Sequence, residues 1–173
     1  MNTIKEARLL NEKARGVFQR DKGHASMIIL LKQGMMIGGF PTGQFMRNGM
    51  TKNLLEKVVC KLIRDTEASG IVMITEAWMK KIKNNAISEV ESAQKLGIAN
   101  SPDKEECLLV AVESDDGLCV SFMNTIIRDA SGNPTLGAVL EITDAEGRFA
   151  GFFNKASAPV NEFRAEKIPA GVN

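Results

Sequence analysis

The stretch Gly70-Ile71-Val72-Met73-Ile74-Thr75-Glu76-Ala77-Trp78-Met79 decides how the chain is read. Ile71 to Ile74 are apolar at both alternating positions, the pattern of a strand covered above and below rather than on one side. Such a strand belongs at the centre of a sheet. Its continuation changes character: Thr75 and Glu76 are polar, and Trp78 is the only tryptophan in the chain. A segment that begins as packing and ends in a carboxylate beside an indole is expected to run from the interior to the surface. The other elements follow from asking what covers it.

On its N-terminal side, Thr51 is suited to cap a helix over about residues 51 to 67. Within it Leu54, Val58 and Leu62 form one stripe and Leu55, Val59 and Ile63 the adjacent one, a broad apolar face suited to lying across a sheet. Residues 38 to 50, with Gly38, Gly39, Gly43, Gly49 and Pro41, read as a loop, and contain neither GxGxxG nor a Walker pattern. Before them, residues 27 to 31 and 35 to 40 flank Lys32-Gln33-Gly34, a hairpin in which Gly34 takes a positive φ. Thr3 and Glu6 have capping-box spacing, and Ile4, Ala7, Leu10, Ala14 and Val17 recur at helical intervals, which predicts a helix over residues 3 to 21.

On the C-terminal side, Lys80, Lys81 and Lys83 form a basic cluster that reads as a solvated strand exit, with anion contact as the alternative. Ile87, Val90 and Leu96 suggest a short helix, and Ser101-Pro102-Asp103 a turn. The period then changes to two. Residues 107 to 113 and 118 to 128 form strands around the turn Ser114-Asp115-Asp116-Gly117, and residues 136 to 143 and 148 to 153 a second hairpin around 144 to 147. The predicted class is α+β: a mainly antiparallel sheet, the broad helix on one face and the N-terminal helix nearby. Residues 1–153 form one domain and residues 154–173 an irregular tail.

Composition narrows the function. The 173 residues are 44% hydrophobic and 25% charged, as expected of one globular domain that buries about 70% of its unfolded surface. A formal charge of +1 gives no electrostatic case for binding nucleic acid or anionic membrane, and no run approaches the ~20 apolar residues of a membrane span. Cys60, Cys107 and Cys119 lack CxxC spacing, so neither a disulfide framework nor a zinc site is signalled, and a reducing cytoplasm is the expected compartment. No tyrosine and 5% aromatic residues argue against a stacking platform for single strands.

His24 is the single histidine, so any Ser-His or Cys-His scheme must use it; at the end of the first helix it more commonly partners the helix dipole. Glu76, just after a buried strand, is the better catalytic candidate, though a paired carboxylate is the plainer reading. Asp103, Glu105, Glu106 and Asp115-Asp116 could bind Mg²⁺ but are explained as turn residues, and no metal or cofactor site is signalled. Trp78 reads either as an exposed anchor or, more commonly for such a residue, as core under a helix. Met27, Met73 and Met123 are expected in the core.

The motifs Glu76-Ala77-Trp78-Met79 and Pro102-Asp103-Lys104-Glu105-Glu106-Cys107-Leu108, with His24 before the first strand, resemble a loosely defined group of small bacterial proteins. That group has a Glu-Ala-Trp-Met strand end and a Pro-Asp-Arg-x-Glu-like turn, and the likeness covers roughly residues 20 to 125. It implies no activity. If the strands that carry them pair antiparallel, Glu76 and Glu106 come near one sheet edge, with His24 beside them. The expected function is a cytoplasmic, non-enzymatic interaction or accessory protein that self-associates or binds a protein partner through His24, Glu76, Trp78 and Glu106. The alternative is a small hydrolase using Glu76 with acidic partners and Mg²⁺ or His24.

Overall fold

A computed structural model describes residues 4–80, 98–101, 103–143 and 150–157. Helix α1 (Ile4–Asp21) leads into the hairpin β1 (Met27–Lys32) and β2 (Met35–Pro41), a 3-10 turn at Gly43–Met46, and helix α2 (Gly49–Thr66). Strands β3 (Gly70–Met79), β4 (Glu105–Ser114), β5 (Cys119–Arg128) and β6 (Pro134–Thr143) follow, then helix α3 (Phe152–Ser157). All six strands form one antiparallel sheet in the order β2-β1-β3-β4-β5-β6, an α+β architecture.

The segment Ile71 to Ile74 lies where its composition requires. β3 is hydrogen-bonded to β1 on one side and β4 on the other, and Ile71, Val72, Met73 and Ile74 are all buried. Successive side chains of a strand point to opposite faces, so this one strand feeds two cores. Val72 and Ile74 join Val110, Val112, Val120 and Phe122 beneath Ala7, Ala14 and Phe18 of α1. Ile71 and Met73 join Ile28 and Leu30 beneath Leu55, Val59 and Ile63 of α2, with Phe152 and Ala156 of α3. The N-terminal helix is therefore on the face opposite the broad helix, which makes three layers.

Each helix forms for legible reasons. In α1 the buried residues Ala7, Asn11, Ala14 and Phe18 recur every three or four positions, a single stripe. Asn11 is polar within that stripe because it faces another buried amide: Asn124 Nδ2 donates to Asn11 Oδ1 at 2.8 Å and to the Leu108 carbonyl at 3.0 Å, and Arg15 donates to Asn124 Oδ1 at 2.7 Å. In α2 the cap is Asn48 rather than Thr51. The Thr51 amide donates to Asn48 Oδ1 and the Asn48 amide donates to Thr51 Oγ1, a reciprocal box that starts the helix two residues before the predicted position. Of its two apolar stripes, Leu55, Val59 and Ile63 are buried, whereas Leu54 is exposed.

Two stretches depart from their predicted form. Gly38 and Gly39, which the sequence places both in the strand 35 to 40 and in the loop 38 to 50, belong to β2, because pairing with β1 continues as far as Pro41 opposite Met27. At Gly39 a Cβ would stand 3.1 Å from the Ile28 carbonyl oxygen, so glycine here permits close strand approach. Gly34 does take the expected positive φ, 77°. The second departure is α3, which occupies residues divided by the sequence reading between a last strand and an irregular tail. Its start is held by the buried Glu113 carboxylate, which accepts from the amides of Gly151 and Phe152, each at 2.8 Å. The predicted turn at 144 to 147, the helix around Ile87, Val90 and Leu96, Pro102, Thr3 and the remaining tail lie outside the described residues.

Ile71→Ala should lower stability by about 2–5 kcal/mol in urea denaturation, whereas Met35→Ala at an exposed strand end should change it by less than about 0.5 kcal/mol. Glu113 offers a pH test. Burial pushes its pKa up, against the opposing hydrogen bonds from the Phe152 and Gly151 amides and the charge of Lys155. A carboxyl raised in the folded state binds its proton more readily there, so its contribution to stability is complete below the unfolded pKa and is lost as pH rises through the folded one. The stability of the wild type relative to Glu113→Gln should accordingly be greater at pH 4 than at pH 7; an equal difference at both would contradict it.

Candidate functional site

β3 leaves the interior at one residue. Thr75 is buried and Glu76 is exposed, and along the face shared with α1 the sequence Val72, Ile74, Glu76, Trp78 stands opposite Val112, Val110, Leu108 and Glu106 of β4. The apolar ladder thus gives way to a polar end within one strand. Glu76 and Trp78 are there because β3 outlasts the core, and Glu106 because β4 pairs with β3 to its last residue, Met79 opposite Glu105.

Glu76 is tied to the connection between α1 and β1. Its Oε1 accepts the His24 backbone N–H at 2.8 Å, and the absent Cβ of Gly23 would lie 3.4 Å from the same oxygen. Beside it Ser26 Oγ and Thr75 Oγ1 share a 2.8 Å hydrogen bond. His24 reaches the carboxylate only through its backbone, since its Nδ1 is 2.8 Å from the Ala25 carbonyl oxygen. The imidazole is therefore not placed as a base on Glu76, and the helix end it follows carries Arg20 as its basic residue.

Glu106 is gripped from β5. Arg128 Nε donates to Oε2 at 2.6 Å and Nη2 to Oε1 at 3.1 Å, a two-pronged pair, while Arg128 Nη1 also reaches the Gly132 carbonyl at 3.3 Å. The guanidinium is held above its ordinary pKa by these Glu106 bonds first and by the Glu106 charge, with a smaller contribution from Glu76. Glu76, Ala77, Trp78 and Glu106 line one small cavity of about 110 Å³, so the carboxylates expected to converge do share a wall.

Trp78 is 43% exposed, which overturns the reading of a core tryptophan under a helix. The reason is its position beyond Glu76, where neither core cluster extends. The Lys104 ammonium sits 4.6 Å from the ring centroid, a cation–π contact. Trp78 also contributes to the lining of a mainly apolar groove of about 390 Å³ with Met79, Lys80, Ile98, Met123, Leu140 and Ile142. Strand alternation puts Met79, Met123, Leu140 and Ile142 on the α2 face of the sheet, opposite the face of Glu76 and Trp78. Met123 is thus a half-buried groove residue, and Met27 is likewise half-buried, whereas Met73 is core.

Arg128, Lys104 and the groove residues of β5 and β6 were beyond sequence reasoning, because their proximity depends on strand register. A weak signal existed for Lys104, two residues before Glu106. Lys80 lies on the groove rim; Lys81 and Lys83 lie outside the described residues. Among the described residues no three His, Cys, Asp or Glu side chains are grouped to hold a metal ion, and Asp116 is instead bonded to Ser114 Oγ. No described helix is long and apolar enough to cross a membrane.

The site geometry carries its own check. Trp78 fluorescence should be quenched by the neutral quencher acrylamide in the folded protein, and more strongly in Lys104→Ala, which uncovers the ring; protection equal to that of a core indole would contradict the placement.

No curated protein and no solved structure matches the chain. A family model described as Bacteriophage lambda protein ea47 matches residues 2–171. The match points to phage proteins, where the strand-end motifs alone point to bacterial ones. Covering nearly the whole sequence, it shows that the chain belongs to the Bacteriophage lambda protein ea47 family.

Proposed function

We propose that this chain is a non-enzymatic interaction or accessory protein of the cytoplasm, acting through the groove beside Trp78. The observation that carries this reading is an apolar groove of about 390 Å³, lined by Met79, Met123, Leu140 and Ile142 with Lys80, at the strand end where Trp78 is exposed and contacts Lys104. A tryptophan that remains exposed offers a large, rigid contact surface, the property that enriches it among binding hot spots. The partner that suits it is a protein segment presenting an apolar side chain to Met79, Met123 and Leu140 with an acidic group toward Lys80. Another copy of this chain is the second source of such a segment.

The neighbouring carboxylates favour binding over hydrolysis. Glu106 is held at both oxygens by Arg128, and Glu76 accepts from the His24 amide, so each has a structural engagement that a general base would have to give up. Placement in the cytoplasm is supported by the three cysteines, none of which is in a disulfide. Burial pushes the Cys107 thiol up to about 11, which suits packing rather than reactivity.

The test is affinity capture from a bacterial lysate with the wild type, Trp78→Ala, Leu140→Asp and Glu76→Gln as baits, together with a hydrolysis screen in Mg²⁺. A protein retained by the wild type and Glu76→Gln but lost by at least about tenfold with Trp78→Ala and Leu140→Asp is the expected outcome. Hydrolytic turnover abolished by Glu76→Gln, with no partner lost from the Trp78 variant, would replace this reading with the enzyme.

A further inference from the structure

The sheet ends at β2, and this edge lacks the usual protection. β2 is the terminal strand, and Met35, Met36 and Ile37 are 68%, 65% and 44% exposed. Between Lys32 and Arg47 the chain has no charged residue. Soluble proteins ordinarily blunt a sheet edge with charge, proline or a covering element, because its unpaired amides and carbonyls template another strand. Here proline occurs only at the last position, Pro41, and among the described residues no element pairs with the outer side of β2. The opposite edge differs: β6 carries Glu141, clasped by Arg8 of α1 at 2.8 and 2.9 Å.

We propose that β2 pairs antiparallel with β2 of a second copy, joining two six-stranded sheets about a twofold axis perpendicular to them. The composition of the strand favours its own copy as the occupant. Its first half, Met35 to Ile37, is bulky and its second half begins with Gly38-Gly39. Antiparallel pairing lays the bulky half of each strand beside the glycines of the other, and a Cβ at Gly38 would meet nothing within 4 Å, so room exists there for a methionine or isoleucine side chain. The uncharged stretch also brings no like charges together at the axis, and the twofold makes the match reciprocal.

The apolar surface continues onto α2. Leu54, Val58 and Leu62 lie on the side of the helix away from Glu56, Cys60 and Arg64, which contact Lys155, Phe152 and Ala156 of α3. Since α3 borders β4, the stripe faces the β1–β2 side. Leu54 is 52% exposed there. Of this stripe Leu62 already packs on the core beside Phe40, Phe45 and Met46, so Leu54 is its exposed member. The twofold sets both stripes facing each other above the joined strands, adding apolar area toward the roughly 800 Å² per partner that a stable interface needs. The interface is separate from the Trp78 groove, with β1 between β2 and the β3 residues of that groove, and does not rest on the reading of that groove.

Sedimentation equilibrium of the full chain over about 1 to 100 μM tests it. The expected result is a mass of two chains, with Met36→Lys and Ile37→Lys each weakening the dimer at least tenfold while circular dichroism stays native, and Lys13→Ala, at an exposed position of α1, leaving it unchanged. If Ile37→Lys fails to fold, Met35→Lys at the most exposed position reads the same quantity. A single-chain mass throughout, or a dimer that the folded lysine variants leave intact, would overturn the proposal.

Discussion

Removal of both sides of Ile71 to Ile74 from water is the condition that organises this molecule. A strand that is apolar on alternate faces needs two separate covers, and at about 25 cal/mol per Å² of apolar surface neither face can be left wet without a large loss of stability. α1 covers one side and α2 with α3 the other. The two covers are offset. α1 lies against β4, β5 and β6, whereas α2 shares its core chiefly with β1 and β3. Among the described residues this leaves two apolar areas: the groove on β5 and β6 beside Trp78, and the β2 edge. The same geometry that protects the centre thus leaves apolar surface at two separate places.

The passage from core to site is managed by polar groups that are satisfied at each step. Asn124, fully buried, is bonded to Asn11, Arg15 and the Leu108 carbonyl, linking α1 to the sheet where the hydrophobic ladder ends. Beyond it Glu76 secures the α1–β1 connection and Glu106 is clasped by Arg128. Leaving a buried partner of Asn124 unsatisfied costs about 1–3 kcal/mol, whereas the exposed Glu76 and Glu106 contacts tie the strand ends with little net energy. Trp78 is then displayed from a strand held by its pairing with β4.

Much of this was legible in the chain. The doubly apolar run of β3, the period-three-to-four stripes of α1 and α2, and the turns at Gln33-Gly34 and Asp115-Asp116-Gly117 are local patterns, and they survive folding because nothing tertiary opposes them. What was not legible depends on partners distant in sequence. Gly38 and Gly39 fit both strand and loop until β1 is placed beside them, and the start of the helix at residues 152 to 157 is held by Glu113, far earlier in the chain. The meeting of Glu76 and Glu106 could be inferred from antiparallel pairing. Arg128, Lys104 and the groove could not, because register is a property of the assembled sheet.

Amide hydrogen exchange resolved by residue across increasing denaturant addresses the central claim most directly. If two-sided burial of β3 holds the molecule together, the amides of Ile71 to Ile74 exchange only through global unfolding, with the same free energy and denaturant slope as the whole protein. Exchange of these amides by a low-energy, denaturant-independent opening while the remaining strands stay protected would show that the structure does not depend on β3.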